Sequence, residues 1–256
     1  MRFQDKVAVV TGGANGIGRA VVELFAEEGA QVVIWDLADD AGQTLAAEIT
    51  SSGGKALYRH VNVTESEDVD AAVEELIAEV GQIDILINNA GNAHGLSTID
   101  KGSLDDWDAM IDINVKGLLY VSRAIIPGMV ERKSGHVINI GSIAGKEVYA
   151  NGNVYCASKF AVDALSTGMR IDLNAHGIKV SEVKPGAVDT EFSEVRFKGD
   201  KEKANKVYDG FKPLVAEDIA DIIYFISTRP AHVNIADTLV FSTAQATATM
   251  VNRYGN

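Results

Sequence analysis

The sequence predicts a single-domain α/β fold, a doubly wound parallel sheet of about seven strands flanked by helices on both faces. Three observations carry that expectation. Short runs rich in Val and Ile alternate with longer amphipathic stretches along the whole chain, and such alternation leads to parallel strands joined by right-handed crossovers. Several runs are apolar nearly throughout, as strands covered on both faces are. A glycine-rich turn, Gly12-Gly13-Ala14-Asn15-Gly16-Ile17-Gly18, joins the first run to the first amphipathic stretch.

Taken in order, residues 7–11 form the first strand, and the turn leads into a helix over 16–28 with Val21, Leu24 and Phe25 on its apolar side. The second strand spans 31–36 and ends on Asp36; a helix follows over 40–51. Strands at 56–61 and 83–88 bracket a helix at 65–80. Asp105, Asp106 and Asp108 read as a solvated helix start, where carboxylates favour the dipole, and not as a metal site. Helices over 116–132, 155–175 and 217–228 then alternate with strands at 136–142, 179–184 and 238–241. Residues 191–213 break the rhythm: they are charged, weakly periodic and inserted between a strand end and a helix. Ligands of open α/β sheets bind beyond the carboxyl ends of the strands, so this insertion is expected to be a substrate lid. No linker, repeat or low-complexity tract divides residues 1–256, which read as one domain.

Composition narrows the function. Hydrophobic residues make up 46% of the chain, enough for one sizeable core, and the net charge is −13. That balance argues against nucleic acid or an anionic membrane as partner, because phosphate contacts need a basic face. A small-molecule substrate is expected instead. The single cysteine, Cys156, excludes an intrachain disulfide, and no apolar run reaches the roughly 20 residues of a membrane span. Met1-Arg2-Phe3 leads directly toward a strand, leaving no room for a signal peptide, so a cytoplasmic location is expected. The five histidines lack metal-ligand spacing, and no metal is expected.

The turn reads T-G-x-x-x-G-x-G. Small residues there let the backbone approach a pyrophosphate, and the helix that follows offers free N–H groups and its positive dipole end. Asp36, at the end of the second strand, is placed to accept hydrogen bonds from both adenosine ribose hydroxyls and to repel a 2′-phosphate. Neither Asn15 nor Leu37 brings a cation to that edge. NAD is therefore the expected cofactor, ahead of NADP. Tyr155 and Lys159 lie four residues apart, on one face of a helix. A tyrosine titrates near pH 10, and lowering that by about 3 units takes roughly 4 kcal/mol. A lysine charge about 4 Å away at an effective dielectric near 20 supplies a term of that size.

Together with Asn88-Asn89-Ala90-Gly91, Asn114, Ser142 and Pro185-Gly186-x-x-x-Thr190, these motifs make the chain resemble the short-chain dehydrogenase/reductase family over essentially its whole length. The resemblance implies a Rossmann-type fold and a proton-relay tetrad of Asn114, Ser142, Tyr155 and Lys159. It implies cofactor contacts from Gly12, Asn15, Gly16, Ile17 and Gly18, from Asp36 and Leu37, and from Asn62 and Val63 at the adenine. Asn89, Ala90, Gly91, Tyr155, Lys159, Pro185, Gly186, Val188 and Thr190 complete that set. Asn62 departs from the commoner aspartate but keeps a donor and an acceptor. Tyr149-Ala150-x-Gly152-Asn153, the stretch 190–200 and Pro230-Ala231-His232-Val233-Asn234-Ile235 are similar to the 3-hydroxy acid dehydrogenases that act on serine and related acids. That branch usually uses NADP, which Asp36 contradicts.

The expected activity is an NAD(H)-dependent interconversion of a secondary alcohol with a ketone or aldehyde, most specifically of a small 3-hydroxy acid. A 3-oxoacyl or other ketone reductase is the alternative within the class, and a non-catalytic nucleotide sensor the remote one. In oxidation Tyr155 takes the hydroxyl proton, Ser142 holds the reacting oxygen and Asn114 anchors a relay water. A carboxylate substrate needs a cation, for which Arg196 is the first choice and Lys146 the second. The family also implies a homo-oligomer, a tetramer or a dimer, assembled through helices 116–132 and 155–175.

Overall fold

The computed structural model describes residues 1–254. In chain order the elements are β1 (Val7–Thr11), α1 (Gly16–Glu27), β2 (Gln31–Asp36), α2 (Asp39–Ser51), β3 (Lys55–His60), α3 (Ser66–Val80), β4 (Ile85–Asn88), α4 (Leu104–Ile111), α5 (Leu118–Arg132), β5 (His136–Ile140), α6 (Asn153–Leu173), β6 (Lys179–Pro185), β7 (Val188–Asp189), α7 (Phe192–Arg196), α8 (Lys201–Lys206), β8 (Leu214–Val215), α9 (Ala216–Ser227) and β9 (Asp237–Val240). Seven strands form one sheet in the order β3-β2-β1-β4-β5-β6-β9. Every neighbouring pair in it is parallel. This is the expected single-domain doubly wound α/β fold. The short β7 and β8 pair with each other alone.

Strand periodicity splits the core between the two faces of the sheet. Ala8, Val10, Val32, Ile34 and Ile138 pack with Val21 and Phe25 of α1 and Ile219 and Ile223 of α9. Their alternates Val9, Val33, Trp35 and Val137 pack with Leu76 of α3 and Val121, Ile125 and Met129 of α5. A buried polar ladder ties the middle of the sheet to its helices: Asn88 Nδ2 donates to Ser122 Oγ and Asn139 Oδ1, and Asn139 Nδ2 donates to Ser166 Oγ. The winding turns back between β1 and β4, which are neighbours in the sheet, and a crevice opens beyond strand ends at such a reversal.

The boundaries that differ from expectation have local causes. β4 starts at Ile85 because Asp84 is taken by β1: its Oδ2 accepts from Val7 N and its Oδ1 from Lys6 Nζ. β5 stops at Ile140, so Gly141 and Ser142 leave the sheet toward the crevice. α5 begins at Leu118, after a π-helical turn over Asp112–Gly117 that contains Asn114; such wide turns favour functional sites. α4 starts where the carboxylates indicate, with Ser103 Oγ accepting from Asp106 N at 3.4 Å. Residues 191–213 are not structureless, since they fold into α7 and α8. No helix is long and apolar enough to cross a membrane among the described residues.

Candidate active site

A cavity of about 290 Å³ opens beyond the carboxyl ends of β1, β4, β5 and β6. Gly12, Asn15, Gly16 and Ile17 line one end of it; Asn89, Ala90 and Gly91 follow. Ser142, Tyr155, Lys159, Pro185, Gly186, Val188 and Thr190 line the other. These are most of the residues expected at the site, brought together from five separate segments.

The glycine turn is shaped by close approach. Gly12 holds φ +61°, in the left-handed region, and a Cβ there would lie 3.0 Å from Ala90 Cα. Asn89 Nδ2 donates to Thr11 O and Gly12 O, both at 2.9 Å, while Thr11 Oγ1 accepts from Asn89 N and Ala90 N. The β4 loop thereby holds the turn open against the start of α1. Gly18 lies behind this wall, where a Cβ would collide with Gly12 O. A side-chain-free wall beside the free N–H groups of a helix start suits a pyrophosphate, so these residues fit a dinucleotide.

The adenosine-side residues are arranged otherwise than expected. Asp36 Oδ2 accepts from Ala14 N and Oδ1 from Ala38 N, each at 3.0 Å. The carboxylate braces the turn, with acceptor capacity left on each oxygen. Leu37 is exposed beside it. Asn62 Oδ1 accepts from Thr64 N and Thr64 Oγ1, and Val63 is buried where a Cβ on Gly117 would meet it. None of Gly18, Asp36, Leu37, Asn62 and Val63 lines the cavity.

Ser142 Oγ accepts from Ala144 N at 3.1 Å and caps the tight turn after β5. Its hydroxyl also faces the Tyr155 phenol, which it pulls down. Asn114 is buried and nearly saturated: Oδ1 accepts from Asn92 N, and Nδ2 donates to Asn92 O and Ser158 Oγ. Both of its side-chain protons are used, so the amide positions the Asn92 segment of the wall, while Oδ1 keeps one lone pair. Gly91 leaves room for this group, since a Cβ there would lie 2.8 Å from Asn114 Oδ1 and 3.6 Å from Lys159 Nζ.

Lys159 Nζ donates to Ile140 O at 2.9 Å and lies 6.0 Å from the Tyr155 ring centroid. Burial pushes the Tyr155 phenol above its ordinary range, Tyr149 adds to this, and Ser142 and Arg196 oppose it. Burial also lowers Lys159 to about 8, with Glu182 opposing. In the protein alone desolvation outweighs the groups that oppose it at the phenol.

Of the two cations expected for a substrate carboxylate, only Arg196 is near. Its guanidinium carbon lies 5.3 Å from the Tyr155 ring centroid and 5.4 Å from that of Tyr149. Nη2 donates to Tyr149 OH at 2.7 Å, while Nε is buried without a partner. Arg196 and Tyr155 share a small recess with Trp107 and Asn153, next to the main cavity. Lys146 is committed elsewhere, to Asp163 at 3.1 Å and Asp237 at 3.2 Å. Sequence reasoning missed Tyr149, whose ring folds over Gly152 where a Cβ would collide with it. It also missed Phe192, 5.7 Å ring to ring from Tyr155, and Glu191 and Val195 on the cavity wall. Gln245, which accepts from Ala187 N at 2.8 Å, braces the Pro185–Val188 loop from the C-terminal segment. Only the partial periodicity of α7 could have signalled the first group; nothing local signals Gln245.

The sequence profile of short chain dehydrogenases matches residues 6–201. Over 230 residues the chain is 43% identical to the NADP-dependent 3-hydroxy acid dehydrogenase YdfG of Salmonella typhi, covering 90% of this chain and 92% of the relative. A solved closed form of serine dehydrogenase complexed with NADP+ superposes with a TM-score of 0.91 at 41% identity, covering 94% of this chain and 97% of the other. A metagenomic short-chain oxidoreductase in complex with NADP superposes at 0.80 with 30% identity, covering 94% and 98%. NADP recurs in all three, which corrects the expectation of NAD drawn from Asp36. Asp36 is tied in through one backbone amide on each oxygen, so its carboxylate has a structural role whichever nucleotide binds.

Proposed function

This chain belongs to the short-chain dehydrogenase family, and we propose that it is an NADP-dependent oxidoreductase interconverting the hydroxyl of a small 3-hydroxy acid with the matching carbonyl. The observation that carries the substrate class is Arg196, held over the Tyr155 ring with Nε unpaired and buried. A carboxylate on that guanidinium leaves a hydroxyl a few bonds away to reach the phenol, and the likeness to a 3-hydroxy acid dehydrogenase supports this spacing.

In this reading Gly12, Asn15, Gly16 and Ile17 cradle the pyrophosphate of NADP. Gly18 closes the turn, Asp36 and Leu37 shape the adenosine end, and Asn62 and Val63 flank the adenine. Asn89, Ala90 and Gly91 with Pro185, Gly186, Val188 and Thr190 enclose the nicotinamide half, and Lys159 holds its ribose. The nicotinamide supplies the hydride in reduction and accepts it in oxidation. Tyr155 gives its proton to the carbonyl oxygen in reduction, for which a phenol pushed up by burial is in the right state at neutral pH. In oxidation the same oxygen takes the hydroxyl proton. Ser142 holds the reacting oxygen, where charge develops, and Asn114 keeps the wall behind Lys159 rigid. Residues 191–213 act as the lid, with α7 carrying Arg196, Phe192 and Val195 onto the site.

Tyr155→Phe tests the assignment. NADPH binding, followed by fluorescence, should survive, while turnover should fall about 10²- to 10⁴-fold, the usual worth of a general acid. Turnover near that of the unaltered enzyme would remove the phenol from the reaction.

A further inference from the structure

Lys159 stands one turn before Asp163 on α6, and behind the two lies a buried charge cluster. Lys184 of β6 is fully buried and ringed by Glu182 at 2.8 Å, Asp163 at 2.9 Å and Asp237 at 2.5 Å. Lys146 joins Asp163 to Asp237 from the outer side. With all three carboxylates ionised, three against two ammoniums leave one negative charge over; burial raises Glu182 above the usual carboxylate range, and Lys184 pulls it back down. Glu182 is the innermost member, 2% exposed. Its Oε2 holds Lys184, while Oε1 has no hydrogen-bond partner and lies where a Cβ on Gly141 would collide with it. Gly141 directly follows Ile140, whose carbonyl receives the Lys159 ammonium.

An unpaired buried carboxylate oxygen is costly, and a nearby positive charge offsets that cost. The groups facing Lys159 are few. Its own helix contributes Tyr155 and Asp163, β6 contributes Glu182 and Lys184, and behind them stand Asp237 of β9 and Lys146 after β5. The Gly91 loop and Asn114 itself bring neutral groups, and the charged members of that turn, Asp112 and Lys116, pair with each other at the surface. Burial drives Lys159 toward its neutral form, and Glu182 is the group whose field opposes this.

We propose that Glu182 is a positioning residue for the reaction: it supplies the uncompensated negative charge of the Lys184 cluster that keeps the Lys159 ammonium protonated in the cavity wall. The proposal rests on the functional reading above for Lys159's part in turnover, but its charge step is testable without it. In the cofactor-free protein the pH dependence of Lys159 acylation by acetic anhydride, mapped by peptide mass spectrometry, reports the ammonium directly. Glu182→Gln should move the midpoint down by about one pH unit, the effect of losing one nearby opposite charge. Asp237→Asn, at the half-exposed rim, should move it the same way by less. Lys184→Met deepens the negative excess and should move it up. An unchanged midpoint in Glu182→Gln and Asp237→Asn, or a downward shift in Lys184→Met, overturns the proposal. The alkaline limb of kcat/KM with NADP should follow the same three shifts. Labelling that shifts while this limb stays fixed overturns the functional reading of Lys159 and, with it, Glu182's place in the reaction.

Discussion

Arg196 is held between two tyrosines: it hydrogen-bonds Tyr149, and its guanidinium lies over the ring of Tyr155, the proposed proton donor. A planar guanidinium stacked this way offers its remaining donors in a fixed plane, the arrangement that suits a carboxylate. Losing a charge-assisted pair of this kind costs about 1.5–3 kcal/mol, or roughly 10- to 150-fold. Arg196→Ala should therefore raise KM for a 3-hydroxy acid by that factor, and Arg196→Lys should recover little of it, because a lysine cannot reproduce the fork. Steady-state kinetics on both variants checks this; an unchanged KM in Arg196→Ala would sever the guanidinium from the substrate.

The glycine turn between β1 and α1 shows how an element can be legible while a residue that braces it is misread. Its position after the first strand and its run of small residues mark it from the sequence alone, as the i,i+4 spacing marks α6 and the continuous apolar runs mark the sheet. Asp36 was visible too, at the strand end, and its bond from Ala38 N is local, but its other partner, Ala14 N, is brought to it by the fold, which no local pattern encodes. The same holds for Asn114, whose side chain is held by Asn92 and Ser158 from other segments, and for Lys146, captured by carboxylates of α6 and β9. A brace and a ribose ligand respond differently to removal. Asp36→Ala leaves two backbone N–H groups without their acceptor and should lower unfolding stability by about 2 kcal/mol, while weakening NADP and NAD by similar factors. Denaturation with titration of both nucleotides checks this; a loss confined to NAD would make Asp36 a ribose ligand after all.

At the scale of the molecule, α5 and α6 show apolar side chains that the sheet does not cover, among them Leu119, Phe160 and Ile171. We expect a homo-oligomer, a tetramer or a dimer, to bury them, and light scattering at micromolar concentration should report a mass above 27.3 kDa; a monomer would refute it. The net charge of −13 leaves the site dependent on a few local cations, which is why one arginine weighs so heavily. The measurement that tests the whole account most directly is the absorbance of NADPH formed from NADP with a 3-hydroxy acid, compared with its methyl ester and with the 2-hydroxy isomer. Turnover of the acid at a kcat/KM at least tenfold above the ester and the isomer is the predicted result, a factor that corresponds to about 1.4 kcal/mol. Equal turnover of acid and ester, or none with any of the three, would contradict it.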